Sequence, residues 1–135
     1  MTSAAMPVHN AAELEQTITD FASTPNGGLV LLPDSFNVNN RQSIISLAAK
    51  YRLPAIYPLK LFVTSGGLVS LGTDLVAVFR QAASYVDLVL KGRKPGDLPV
   101  QQPTKYELAI NLKTAKALGV MVPLSMQVAA DELIE

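Results

Sequence analysis

The chain has no cysteine, no tryptophan, a single histidine and no surplus of either charge, with eleven Lys and Arg against eleven Asp and Glu. Without cysteine there can be no disulfide scaffold, no thiolate metal site and no thiol nucleophile. Only 16% of residues are charged and no Lys/Arg run occurs, which argues against nucleic acid as a partner. Apolar runs such as residues 29–33 fall far short of the ~20 residues that cross a bilayer, so no integral membrane protein is expected. The first ten residues carry neither the basic start nor the apolar stretch of an export signal, and no signal peptide is expected in this chain. His9 has no Ser or acid at an obvious catalytic spacing and reads as a surface residue. No cofactor or metal is expected, because GxxxxGK[ST] and GxGxxG are both absent and the acids are dispersed rather than set at metal-ligand intervals.

What is present is enough apolar material for one core: 135 residues, 49% hydrophobic, which predicts a single domain over 1–135. Asn10-Ala11-Ala12-Glu13 fits a capping box in which Glu13 reaches back to the Asn10 amide. Leu14, Ile18 and Phe21 continue it as an apolar stripe. Residues 29–32 are continuously apolar, the pattern of a strand covered on both faces. Ile44, Leu47, Ala48 and Tyr51 mark a second helix after the polar stretch 37–40, running to about Arg52. Residues 54–57 and 68–71 read as strands separated by a short helix. A long helix from near Thr73 carries Leu75, Phe79, Ala82, Val86 and Val89, and Gly92 stops it. Residues 92–104 form a Pro/Gly-rich connector, since prolines at that density preclude a helix interior. Tyr106, Leu108 and Ile110 alternate with Glu107, Ala109 and Asn111 as a half-buried strand. A helix over 112–118 ends at Gly119, and Pro123 opens a last helix through about Ile134.

This order predicts an α/β fold: a single lobe with a mostly parallel sheet flanked by helices. Ligands in such sheets sit beyond the carboxyl ends of the strands. That rule selects Asp34-Ser35-Phe36, Tyr57-Pro58 and Gly72-Thr73-Asp74, expected on one rim. Asp34 reads equally as a turn or cap residue and as a ligand contact. Asp74 suits the first turn of a helix, where the dipole favours an acid. Phe36 and Tyr57 at strand ends offer an aromatic wall to a small organic ligand. Gly66 and Gly67 read first as turn residues and second as ligand contacts.

Several segments occur in a recognisable order: Leu-Pro-Asp-Ser-Phe, Arg-Leu-Pro-Ala-Ile-Tyr, Ser-Gly-Gly-Leu-Val-Ser-Leu-Gly-Thr-Asp, Leu-Lys-Gly-Arg-Lys-Pro-Gly-Asp-Leu-Pro-Val and the ending Ile-Asn-Leu-Lys-Thr-Ala-Lys-Ala-Leu-Gly. From His9 to Glu135 the chain resembles the C-terminal lobe of ABC transporter substrate-binding proteins of the tryptophan/tyrosine-binding-like family. The resemblance implies a type I periplasmic-binding-protein-like fold, in which two α/β lobes close on a solute and deliver it to a permease. It also implies that Asp34, Ser35, Tyr57, Thr73 and Asp74 contribute to the cleft, with Ser65, Gly66 and Gly67 beside them.

The first expectation is a non-enzymatic substrate-binding lobe of an ABC importer, taking a small organic solute such as an amino acid. Its parent would work in the periplasm or otherwise outside the cytoplasmic membrane. The alternative is a freestanding regulatory or oligomerisation module on the same α/β body. A small α/β enzyme has little behind it, because no set of nucleophile, base and oxyanion donors can be named. Exposed lobe surface, or exchange of the segment after the connector, makes homodimerisation a further expectation.

Overall fold

The computed structural model describes residues 2–135 as one five-stranded sheet with helices around it. Helix α1 (Ala11–Phe21) starts as its sequence dictates: the Asn10 side chain accepts from the Glu13 amide at 2.9 Å. The Glu13 carboxylate returns to the His9 amide at 2.9 Å and to the Asn10 side chain at 2.7 Å, so the reciprocal bond falls one residue earlier than expected. Strand β1 (Leu29–Val30) comes next, then α2 (Ser35–Asn39) and α3 (Arg41–Lys50). The polar stretch 37–40, after which the second helix is expected to begin, is therefore itself largely helical. β2 (Ala55–Tyr57), α4 (Lys60–Thr64) and β3 (Val69–Thr73) complete a parallel trio.

Helix α5 (Leu75–Leu90) and the connector, with a 3₁₀ turn at Pro95–Asp97, lead to β4 (Tyr106–Asn111), which lies antiparallel against β3 over five residue pairs. α6 (Leu112–Leu118) ends where Gly119 takes the left-handed conformation at φ 72°. The strands lie in chain order, and three of the four pairings are parallel. The fold class read from the sequence is the one observed.

The final element differs. α7 (Leu124–Ala129) is short, and Glu132–Ile134 is a strand, β5, parallel to β4. Asp131 makes the change of direction: its amide donates to the Leu108 carbonyl and its carboxylate accepts from the Leu108 amide, both at 2.8 Å. The open edge of β4 captures the segment, a partner more than twenty residues away that local helix periodicity cannot register.

One sheet face carries the core. Leu29, Ala55, Tyr57, Ser70, Ala109 and Asn111 point into it and are all buried. Phe62 and Val63 of α4 are fully buried against them, and Tyr57 stacks on Phe62 with ring centroids 5.0 Å apart. α1 and α3 close the same layer through Leu14, Ile18, Ile44, Ile45 and Ala48. Burying one such aliphatic or aromatic side chain stabilises a fold by roughly 1.5–3 kcal/mol. The opposite face is open at Val30, Ile56 and Leu71, and Leu32 just beyond β1 is 71% exposed. The expectation of a first strand covered on both sides is thus corrected: among the described residues only the Leu29 side is covered. In β4 the last three residues, Ala109 and Asn111 on the core face and Ile110 on the other, are all buried, so the strand is covered on both faces at that end and the half-buried alternation expected for it does not hold there. No helix among the described residues is long and apolar enough to cross a membrane.

Candidate functional site

The three parallel strands end side by side, and the turns leaving those ends build one rim. After β1 the chain turns through Pro33, and the Asp34 carboxylate caps α2 by accepting from the Phe36 amide. Ser35 opens that helix, and the Asn37 side chain donates to the Leu32 carbonyl at 3.1 Å, tying the turn to the strand. A shallow cavity of about 410 Å³ is lined by Pro33, Asp34, Ser35, Val38 and Asn39. After β2 come Pro58 and Leu59. Thr73 ends β3, and Asp74 comes directly after it. The expected clusters Asp34-Ser35-Phe36, Tyr57-Pro58 and Gly72-Thr73-Asp74 therefore stand at adjacent strand ends.

Asp74 is the most constrained of these groups. Its carboxylate accepts from the Ala77 amide at 3.0 Å as the cap of α5 and from Lys105 Nζ at 2.9 Å. The Ala77 amide first and the Lys105 ammonium second hold its carboxyl below the ordinary range. Lys105 is held above its own ordinary value by the same contact. Glu107 lies 4.0 Å from Lys105, and Lys60 pairs with Glu132 at 2.6 Å. Sequence reasoning misses Lys105 because its partner is 31 positions away. Its only signal is a cation immediately before a strand that could return to the rim.

Four expected residues, Tyr57, Ser65, Gly66 and Gly67, sit elsewhere than a cleft wall requires. The Tyr57 ring is 1% exposed, on the core face, where burial pushes its hydroxyl up to about 12. It is a core ring rather than an exposed aromatic wall. Ser65, Gly66 and Gly67 precede β3, so they lie at the opposite end of the strand from Thr73, roughly 15 Å away at the usual rise per residue. Ser65 closes α4 by donating to the Leu61 carbonyl at 2.8 Å, and the Gly66 carbonyl accepts from Thr114 at 2.9 Å. Gly66 has φ 108°, a turn geometry that favours glycine. A Cβ at Gly67 would stand 2.6 Å from the Tyr57 ring. Phe36 is half-buried against the core.

The rim thus combines an acidic cap, hydroxyls and a buttressed ion pair. Asp34 Oδ2, Ser35 Oγ and Thr73 Oγ1 have no hydrogen-bond partner among the described residues. Such groups can receive an ammonium or donate to a carboxylate. No three acidic or histidine side chains gather as a metal site would need, among the described residues. A second, larger cavity of about 640 Å³ lies between α5 and the connector. Its lining includes Val86, Val89, Leu98, Pro99 and Val100 and none of the rim residues.

Comparison with known proteins agrees with this architecture. A family profile described as ABC transporter substrate binding protein matches residues 2–134. A tyrosine-binding protein of Clostridioides difficile is 27% identical over 111 residues, which cover 82% of this chain and 32% of that protein. A conserved domain protein of Vibrio cholerae superposes with a TM-score of 0.82 at 26% identity, over 90% of this chain and 41% of that one. A Streptococcus pneumoniae ABC domain in complex with L-Trp gives 0.80 at 26% identity, over 91% and 42%. The chain therefore spans about a third to two-fifths of the relatives it matches. With almost its whole length matched by the profile, this chain belongs to the ABC transporter substrate-binding protein family.

Proposed function

We propose that the chain forms one wall of a solute cleft and binds an amino acid, with L-Trp or L-Tyr the first to test. The observation that carries this reading is the likeness, over nine-tenths of the chain, to a domain in complex with L-Trp. The rim chemistry is compatible with it. The Asp34 carboxylate has a free oxygen for the ligand ammonium, and Ser35 and Thr73 have hydroxyls for its carboxylate. The role is non-enzymatic and needs no cofactor: the solute passes to an ABC permease from outside the cytoplasmic membrane. One wall covers only part of a ligand that a cleft normally buries on most sides, so affinity of this chain alone is weak.

The test is a titration of the isotope-labelled chain with L-Trp and L-Tyr, read by amide chemical shifts. The expected result is saturable shifts at Asp34, Ser35, Thr73 and Asp74, abolished in Asp34→Ala. Shifts confined to α5 and the connector, or none at millimolar ligand, would overturn the reading. A second reading, a non-enzymatic module that assembles through its α/β body, is favoured by one observation: none of the 16 residues of α5 is buried.

A further inference from the structure

The turn that carries the chain from β1 through α2 into α3 sorts its polar side chains into two groups. Three of them hold the turn itself. The Asn37 amide donates to the Leu32 carbonyl at 3.1 Å, the Asn40 amide to the Phe36 carbonyl at 2.9 Å, and the Arg41 guanidinium to the Val38 carbonyl at 3.2 Å. One Asp34 oxygen belongs with them, because it caps α2 at the Phe36 amide. The other Asp34 oxygen, the Ser35 hydroxyl and the Asn39 side-chain amide have no hydrogen-bond partner among the described residues. All three belong to residues that line the cavity of about 410 Å³ beyond the end of β1, where Pro33 and Val38 supply the apolar part.

Asn39 gives the fold nothing in return for its place. Asparagine is a poor helix former because its side chain competes for backbone groups, and it is favoured at caps and turns. Here the start of α2 is already capped by Asp34, and the side chains of Asn40 and Arg41 take the Phe36 and Val38 carbonyls at its end. Ser35 and Asn39 stand four residues apart on α2, so their Cβ atoms lie about 5–6 Å from each other on one face. Asp34 directly precedes Ser35. The three groups thus fall within reach of one small polar head group.

Charge narrows what that head group is. The lining carries one carboxylate and no cation. At the neighbouring strand ends Lys60 is paired with Glu132 and Lys105 with Asp74. An anion alone in this cavity would face Asp34 with no counter-ion, whereas a primary ammonium brings three donors and a positive charge to oxygens that lack partners. We infer that Asn39 is a specificity-determining residue, whose amide oxygen and the free Asp34 oxygen together hold the ammonium of the solute. This rests on the amino-acid reading above and names the part of the solute that the cavity selects: a free amine, with the Ser35 hydroxyl left to donate to the carboxylate.

Four probes separate the groups. L-Trp carries both ammonium and carboxylate, tryptamine only the ammonium, and N-acetyl-L-Trp and indole-3-propionate only the carboxylate. Each is titrated into the isotope-labelled chain, as wild type, Asn39→Leu and Asn39→Asp, with the amide shifts of residues 34–39 as the readout. L-Trp and tryptamine should give saturable shifts there, and the two probes without an ammonium should give none. Asn39→Leu should weaken L-Trp and tryptamine by about threefold, the loss of one hydrogen bond to a charged group in a solvent-open site. Asn39→Asp keeps the oxygen and adds a charge, so it should bind tryptamine at least as tightly as the wild type. Neither variant should melt below the wild type, since the Asn39 side chain bonds to nothing in its own chain. A response to tryptamine with none to L-Trp would uphold the ammonium site and overturn the amino-acid reading. Equal responses to L-Trp and N-acetyl-L-Trp, or L-Trp binding indifferent to Asn39→Leu, would overturn the role of Asn39 and leave the amino-acid reading standing. No shift at residues 34–39 from any probe up to its solubility limit would overturn both.

Discussion

Gly72 and Pro58 stand so close across the ends of β3 and β2 that a Cβ on Gly72 would lie 1.9 Å from the Pro58 carbonyl oxygen. The close approach joins two of the strand ends that build the rim, and it leaves room for no side chain at position 72. Gly72→Ala must push the two backbones apart, at a cost of about 3 kcal/mol. Gly96→Ala, where a Cβ meets nothing within 4 Å, serves as the control. Urea unfolding should show a large fall in midpoint for the first and almost none for the second. Equal midpoints would mean that the strand ends are not held as described.

Asp74 and Lys105 connect the start of α5 to the start of β4, and their titration sets a pH window. The folded Asp74 carboxyl lies below its ordinary 3.8, so its contribution is present above that value and is lost as pH falls through the folded value. Lys105 lies above 10.5, so its contribution is present below that and is lost as pH rises through the folded value. The pair accordingly holds across the whole interval between. Asp74→Asn keeps a capping side chain and removes the charge, whereas Asp74→Ala removes both. The melting temperature should fall in the order wild type, Asn, Ala near neutral pH, and the gap between wild type and Asn should close in strong acid. A gap that persists below the titration would assign the effect to the cap alone.

How much of the molecule is legible in its sequence depends on how far each interaction reaches along the chain. The α1 cap, the α6 stop at Gly119 and the α5 stop before Gly92 rest on bonds spanning a few residues, and all are readable. The rim is readable because alternating strands and helices put successive parallel strand ends together whatever the details of packing. The strand at Glu132–Ile134 is not, because it exists only where β4 offers an edge. Nor is the placement of Tyr57: a three-residue apolar strand shows no period to say which side is the core. Ser65 and Gly66 lie away from the rim because adjacency in sequence to β3 is adjacency to its start, a full strand length from the end that matters.

Tyr57 gives a prediction at alkaline pH. Burial raises its hydroxyl from 10.0 to about 12, so the unfolded chain ionises first. Stability present below 10 should decline as pH rises from 10 toward 12. Of the four tyrosines, one should appear last in an ultraviolet titration, and Tyr57→Phe should remove that late component. The same substitution should soften the alkaline loss of stability and leave the amino-acid titration of the rim unchanged. Tyr57→Ala, which empties the stack on Phe62, should cost about 3–5 kcal/mol. Loss of the rim response in Tyr57→Phe would instead give the hydroxyl a direct part in solute binding.

Ser70 sits between Tyr57 and Ala109 in the sheet register, 1% exposed, with its hydroxyl lacking any hydrogen-bond partner among the described residues. A buried hydroxyl that makes no bond is a net cost, because its hydration is lost on folding and nothing replaces it. Ser70→Ala removes that group while keeping the Cβ that the neighbours pack on. The denaturation midpoint should rise, with stability gaining about 1 kcal/mol and the denaturant slope unchanged. Since the side chain points to the core, away from the rim, the solute titration should stay as in the wild type. A fall in stability would show that the hydroxyl is bonded in solution, and Ser70→Thr would then separate the two cases. If the added methyl is accommodated, the bonded hydroxyl survives in threonine and stability returns, whereas a second loss would identify tight packing at the position as the cause.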